Sequence, residues 1–285
     1  MDALTLSNVT KSYDKFKLDN ISFSIPQGCI MGLIGENGAG KSTIFKAVLD
    51  LINKDNGEIM FYGQKLDRNS SDLKEDIGVV FDTLHYPEAL KPSEISSINK
   101  YSFKNWSDET FRKYCDAFKI EYTKKIKDLS KGMKMKLGIA VALSHNAKFL
   151  ILDEPTSGLD PVAREEMLDI FLDFMQDETH SILISSHITT DLEKIADYIT
   201  FIHDGKLLLS KSKDELIYDY RLVHCGESDY IELKNEDGAV WRKRDFQYDV
   251  LLPNGSTLES KYSACTFERA TIEEIMLMYI KGEAS

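Results

Sequence analysis

The run Gly35-Glu36-Asn37-Gly38-Ala39-Gly40-Lys41-Ser42-Thr43 has the residue types and the spacing of a phosphate-holding loop. Glycines let the backbone close around phosphate oxygens. Unpaired N–H groups and the positive end of the dipole at a helix start favour the same anion. In this pattern Lys41 reaches the outer phosphates and the Ser42 hydroxyl ligates Mg²⁺. The alternative is a glycine-rich turn that binds nothing; glycines, lysine and hydroxyl all standing in register oppose it. Far downstream, Asp153-Glu154 follows an apolar run. An aspartate there can help hold Mg²⁺, and a glutamate beside it can polarise an attacking water, although a lone Asp-Glu pair is usually just exposed acid at a strand end. Tyr13 lies in a polar connection with no core to fill, so its ring is free to stack on a base.

These residues need elements to hold them. Residues 29–34 form a short apolar run of strand length, and Ile44, Phe45, Val48, Leu49 and Ile52 recur at helical spacing, so the loop joins a strand to a helix start. Residues 4–9 and 21–25 alternate apolar and polar, predicting antiparallel strands that flank the loop's strand, and residues 58–63 and 77–81 read as further strands. Beyond Pro92, residues 93–99, 108–119 and 133–143 predict a helical insertion. Residues 149–152 are continuously apolar, as a strand covered on both faces must be, and end at Asp153-Glu154. Residues 181–185 end close to His187, and residues 198–202 form another such strand. Strands alternating with helices predict an α/β fold with a largely parallel sheet, whose ligands bind beyond the strands' carboxyl ends.

After Gly205 the character shifts. Residues 214–220 predict a helix with Ser212 and Glu215 spaced as a capping box. Asp237-Gly238 and Asn254-Gly255 read as hairpin turns beside strand-like residues 230–233 and 246–252. Thr271 and Glu274 predict the cap of a last helix carrying Ile272, Ile275, Met276 and Tyr279 on one face.

With 35 basic and 47 acidic residues the formal charge is −12, which opposes a general affinity for nucleic acid or lipid headgroups. Cys29, Cys115, Cys225 and Cys265 show no paired spacing, so reduced, mostly buried thiols are expected. His85, His145, His180, His203 and His224 have no ligand spacing either. No apolar run approaches the roughly 20 residues that cross a bilayer, and residues 1–4 lack the features of a signal peptide. A cytosolic chain is expected, with any membrane role needing a separate subunit.

Taken in order, the motifs resemble the nucleotide-binding subunit of an ATP-binding cassette (ABC) transporter over residues 3–210. Tyr13 matches the family's adenine-stacking aromatic and residues 35–43 its phosphate loop. Leu129-Ser130-Lys131-Gly132-Met133 matches its signature motif, and His187 its switch histidine. Leu150-Ile151-Leu152-Asp153-Glu154-Pro155-Thr156-Ser157-Gly158-Leu159-Asp160-Pro161 matches the strand with its carboxylates and the loop ending in aspartate. The resemblance implies a P-loop NTPase (RecA-like) core with an antiparallel β subdomain and a helical insertion at about residues 88–145, together forming an ATPase domain over 1–210. A small α+β accessory unit would span 211–285.

It also implies ATP with Mg²⁺, and two cassettes facing head to tail. Lys41, Glu154 and His187 would be catalytic, Glu154 as general base and His187 at the γ-phosphate. Asp153 and Ser42 would hold the metal, while Asn37, Gly38, Ala39, Gly40 and Thr43 complete the loop. Ser130 and the N–H groups around Lys131-Gly132 would approach the partner's γ-phosphate, and Asp160 would speak across the interface. Two departures stand out. The usual second signature glycine and final glutamine are Lys131 and Met133, and the glutamine after the strand near Val80 is Asp82, shorter and charged but still able to meet Mg²⁺. Lys131 is either a positive charge facing the partner's phosphate or a solvated lysine.

The Lys-Gly-Met signature, Asp82 and the appendage are most similar to ATPases of bacterial exporters of antibiotics, antimicrobial peptides or amphipathic peptide toxins. In these, a helix of the membrane subunit docks in a groove that residues 84–94 would line with His85, Tyr86, Pro87, Ala89 and Leu90; an ordinary packed loop is the other reading. The implied partners are ATP, a transmembrane permease subunit and a second ABC subunit, a copy or a paralogue, with no nucleic acid. The implied place is cytoplasmic and peripheral on the inner face of the cell membrane. A soluble cassette acting on ribosomes or DNA is opposed by the single cassette, the lack of a long coiled-coil insertion and the acidic charge. A low-activity regulatory subunit of a heterodimer is opposed by intact Lys41, Ser42, Asp153, Glu154 and His187, and left open by Lys131, Met133 and Asp82.

Overall fold

Three strands buried at every position, Ile30–Ile34, Ser181–Ser185 and Phe149–Asp153, form the centre of the molecule in a computed structural model that describes residues 1–262 and 265–284. They belong to a six-stranded sheet ordered Lys206–Ser212, Tyr198–His203, Ile30–Ile34, Ser181–Ser185, Phe149–Asp153, Ile77–Val80. Only the first pair is antiparallel. Successive side chains leave on opposite faces, so Ile30, Ile34, Leu150 and Leu152 enter one apolar cluster while Met31, Leu33, Phe149 and Ile151 enter another. Covering both faces removes the alternation and leaves continuous apolar sequence.

The amino-terminal strands correct one expectation. Asp2–Tyr13 and Phe16–Pro26 are longer than their alternating segments and do not flank the loop's strand. They pair with each other and with Asn56–Phe61 and Gln64–Lys65 in a separate four-stranded antiparallel sheet. Both edges of Ile30–Ile34 are already taken, by Ser181–Ser185 and Tyr198–His203. The antiparallel sheet instead lays Leu4, Leu6, Phe23 and Ile25 against Ile44 and Phe45 of the helix Lys41–Val48.

The helical insertion holds Pro92–Ser102, Asp108–Ala117 and Lys131–Leu143. The last starts earlier than its apolar period because the Ser130 hydroxyl accepts the Met133 N–H at 3.2 Å and caps it. Ile95, Phe111, Cys115 and Leu137 pack together with Leu150 and Leu152 of the central sheet. Burial pushes the Cys115 thiol up to about 12, leaving an inert apolar packing group.

Beyond residue 212 the chain forms a five-stranded antiparallel sheet ordered Thr266–Arg269, Arg221–Cys225, Tyr248–Leu252, Val240–Lys243, Glu283–Ala284. Residues 230–233 are not strand but part of the helix Glu227–Leu233; four residues are too few to show a period, and Leu233 is buried from the helix. Neither predicted hairpin forms. Gly238, at φ 70°, turns the chain from that helix into Val240–Lys243, and Asn254-Gly255 opens the short helix Gly255–Leu258. Such turn residues mark where a chain reverses but not what it joins. Ser212 accepts the Glu215 N–H at 3.1 Å and Thr271 that of Glu274 at 3.2 Å, but only Thr271 completes the expected box, its N–H donating to Glu274 Oε2 at 2.9 Å, while Glu215 is drawn to Lys211. One sheet face, with Leu222, Val240 and Leu251, meets Ile272, Ile275 and the main core; the other, with Val223, Cys225, Val250 and Leu252, forms its own small cluster. Among the described residues no helix is long and apolar enough to cross a membrane. The expected span 211–285 includes Ser263, Ala264 and Ser285, which lie outside the described residues.

Gly205 joins the antiparallel sheet to the phosphate loop. Its carbonyl accepts the Asp19 N–H at 2.7 Å, and its own N–H donates to the Ala39 carbonyl at 2.9 Å. Its φ is 72°, and a Cβ would sit 1.8 Å from the Lys17 carbonyl oxygen. Left-handed backbone and clash together should cost Gly205→Ala at least about 2 kcal/mol. Thermal unfolding should show a Tm several degrees lower; an unchanged Tm would refute this coupling.

Candidate nucleotide site

The loop leaves the carboxyl end of Ile30–Ile34 and enters Lys41–Val48. Gly40 stands at the N-cap with φ 116°, a conformation needing glycine, and a Cβ there would meet Phe16 Cζ at 3.0 Å. No side chain caps this helix, so its first N–H groups face the loop as an anion site. Ala39 donates to the Glu36 carbonyl at 3.1 Å, closing the loop, while Asn37 and Gly38 are exposed at its tip and Thr43 is half-buried. Gly35 lies at the loop's start, where a Cβ would press 2.4 Å from the Ile202 carbonyl oxygen.

Lys41 is buried and folds back over the loop. Its Nζ donates to the Gly35 carbonyl at 2.6 Å and stands 3.5 Å from Glu154 Oε1. Ser42 Oγ donates to Asp153 Oδ2 at 2.9 Å, and Ser185 Oγ donates to Asp153 Oδ1 at 2.6 Å. Ser185 also accepts the Glu154 N–H on its hydroxyl at 3.0 Å, fixing Glu154 in its left-handed φ of 52°. Sequence reasoning missed this serine; its signal was a hydroxyl at the carboxyl end of a buried strand beside the Asp153 strand.

Glu154 is the meeting point of the cluster. Its Oε2 lies 2.6 Å from His187 Nδ1 and accepts the His187 N–H at 3.3 Å. Its Oε1 is buried without a hydrogen-bond partner. A buried carboxylate oxygen that meets Lys41 only as an ion pair keeps its capacity to accept a hydrogen bond. The Ser42 hydroxyl and Asp153 oxygen are hard donors side by side, which suits Mg²⁺: it takes few protein ligands and completes its shell with phosphate and water. No cluster of three or more His, Cys, Asp or Glu able to hold a metal occurs among the described residues.

The remaining predicted residues fall elsewhere. Ser130, Lys131, Gly132, Gly158 and Asp160 share a cavity of 350 Å³. Asp160 caps the helix Pro161–Phe174 by accepting the Ala163 and Val162 N–H groups at 3.0 and 3.1 Å, which hold its carboxyl below the usual range. Among the described residues no hydrogen bond or ion pair joins this group to Lys41, Ser42, Asp153 or Glu154. Asp82 is exposed and lines a 660 Å³ groove with Leu84, His85, Tyr86 and Lys131, without a hydrogen bond to Ser42 or Asp153. Tyr13 ends a strand rather than lying in a loop; 47% exposed, its ring has Lys11 Nζ 5.6 Å from its centroid. Among the other histidines, His145 stacks on Phe103 at 4.1 Å between centroids, and burial lowers its pKa.

Comparison with known proteins agrees with this geometry. A family model described as "ABC transporter" matches residues 18–157. The lantibiotic transport ATP-binding protein SrtF of Streptococcus pyogenes is 37% identical over 74% of this chain and 91% of its own length. The bacitracin transport ATP-binding protein BcrA of Bacillus licheniformis is 34% identical over 82% of this chain and 76% of its own. Among solved structures, cbiO1 from Clostridium perfringens, part of the ABC transporter complex cbiONQ, superposes with a TM-score of 0.64 at 26% identity, covering 75% of this chain and 90% of that one. An ATP-binding subunit of an ABC transporter reaches a TM-score of 0.68 at 24% identity, over 75% of this chain and 91% of the other. The chain belongs to the ABC transporter family, as one of its ATP-binding ATPase subunits.

Proposed function

We propose that this chain powers a bacterial exporter of peptide or drug-like cargo through a separate membrane-spanning subunit. The observation that carries the enzymatic part is one carboxylate, Glu154, held between Lys41 and His187 beside the Ser42–Asp153 pair. Lys41 and the uncapped N–H groups of its helix hold the phosphates, and Tyr13 stacks on the base. Ser42 and Asp153 hold Mg²⁺, which when bound neutralises charge on the phosphates. Glu154 Oε1 takes the proton of the attacking water, and His187 keeps the carboxylate oriented and reaches the γ-phosphate. Ser130, Lys131, Gly132 and Asp160 serve the site of a second cassette subunit, so hydrolysis waits for closure. Asp82 acts as a nucleotide sensor on position alone. Residues 1–210 are the ATPase domain, with its helical part at about 88–145, and 211–285 the accessory unit.

The cargo class rests on the names of the relatives, which handle a lantibiotic and bacitracin. The membrane subunit docks in the 660 Å³ groove, whose wall is largely apolar, through Val80, Leu84, Tyr86, Met135 and Val141. The chain then lies peripherally on the cytoplasmic face of the membrane, and its acidic charge keeps nucleic acid away.

Asp153→Asn keeps the shape and the Ser42 contact but loses the anionic metal ligand. Calorimetric ATP titration should show the Mg²⁺-dependent gain in affinity falling about tenfold or more; an equal gain in both proteins would remove Asp153 from the metal site. Leu84→Arg places charge in the groove. It should abolish copurification with the membrane-spanning subunit and abolish protection of cells from the exported peptide, while the purified chain still hydrolyses ATP. Full protection by Leu84→Arg would exclude the groove as the docking site.

A further inference from the structure

Two cysteines far apart in sequence meet in one apolar cluster at the end of a strand pair of the carboxyl-terminal sheet. Arg221–Cys225 and Thr266–Arg269 run antiparallel, with Arg221 opposite Arg269, Leu222 opposite Glu268, Val223 opposite Phe267 and His224 opposite Thr266. One residue beyond the last of these pairs, Cys225 ends its strand and Cys265 stands just before the other. Residues opposite each other leave the same sheet face, and Val223, Phe267, Cys225 and Cys265 indeed share one small apolar cluster. The Cys265 N–H is used on the Tyr262 carbonyl at 3.0 Å, in the turn that leads into the strand. Opposed positions of an antiparallel pair stand about 4.5–5.5 Å apart at Cα and a disulfide spans roughly 4.4–6.8 Å, so two cysteines sharing one cluster at the end of this ladder are in range.

We propose that Cys225 and Cys265 are a redox-responsive pair that closes an intrachain cross-strand disulfide, locking residues 226–264 of the accessory sheet as a loop. The co-reactant is a low-molecular-weight disulfide such as oxidised glutathione. Cys265, half-buried where Cys225 is buried, attacks first. Its thiolate bonds to one glutathione sulfur, the glutathione S–S bond breaks, and one glutathione leaves as thiol. The Cys225 thiolate then attacks the Cys265 sulfur and expels the second glutathione. Two cysteine thiols are oxidised, one small disulfide is reduced to two thiols, and both cysteine protons end on those leaving thiols. Burial, then the neighbouring Asp229 and Asp249 with Cys265 itself, pushes the Cys225 thiol up to about 11, and Cys265 is raised by burial and Asp229. Closure is therefore slow at neutral pH, and the pair rests reduced in a thiol-rich compartment.

The test is incubation of the native full chain with oxidised glutathione in mildly alkaline buffer, followed by peptide mapping without reductant. The expected result is loss of two thiols per chain, a single cross-link joining the Cys225 and Cys265 peptides, a Tm several degrees above that of the reduced chain, and reversal by reductant. Cys225→Ser and Cys265→Ser should each abolish the cross-link and leave at most a glutathione adduct. A link to Cys29 or to a second chain, a stable glutathione adduct on Cys265 without closure, or closure only after denaturation would overturn the proposal. If a serine variant does not fold, the wild-type map alone decides.

Discussion

The Asp153 carboxylate ties the architecture to the chemistry. It ends a strand buried at every position, and its two oxygens accept from Ser42 on the loop's helix and Ser185 on the neighbouring strand. A buried carboxylate without such partners would be strongly unfavourable. Satisfying it fixes the loop's helix against the carboxyl ends of two parallel strands, and Ser185 passes the constraint on by holding the Glu154 backbone in its unusual conformation. The central strands thereby do more than fill a core. Their parallel order brings Gly35, Asp153, Glu154 and His187 to one edge, although more than a hundred residues separate the first from the second.

The charges in the site satisfy one another. Lys41 reaches a loop carbonyl and Glu154, and Glu154 in turn meets His187. Under the proposed function, phosphate oxygens entering the loop would compete for the same lysine and release Glu154 Oε1 from its 3.5 Å ion pair. The signature serine and Asp160 lie in a different cavity of the same chain. That separation is what a site completed by a second subunit requires.

How much was legible from sequence follows from the range of the forces involved. The phosphate loop, the buried strands and the caps at Ser212 and Thr271 are local patterns, and each is present in the structure. Strand partners are not local: residues 4–9 and 21–25 showed their alternation but not that both edges of Ile30–Ile34 were taken. Tyr230 and Ile231 favour strand by propensity, yet the acidic first turn at Glu227 and Asp229 and the burial of Leu233 make that segment helical. Ser185 escaped notice because a serine acquires meaning only from the strand beside it. The nearness of Cys225 to Cys265 was invisible for the same reason, since 40 positions in sequence separate two members of one cluster.

The most direct test of the central claim is steady-state ATP hydrolysis by the purified chain as its concentration is raised, with Glu154→Gln in parallel and its oligomeric state measured in Mg-ATP. The account predicts a rate per chain that rises with concentration, and a variant that loses turnover while forming an ATP-held dimer. Undiminished hydrolysis by Glu154→Gln would contradict it.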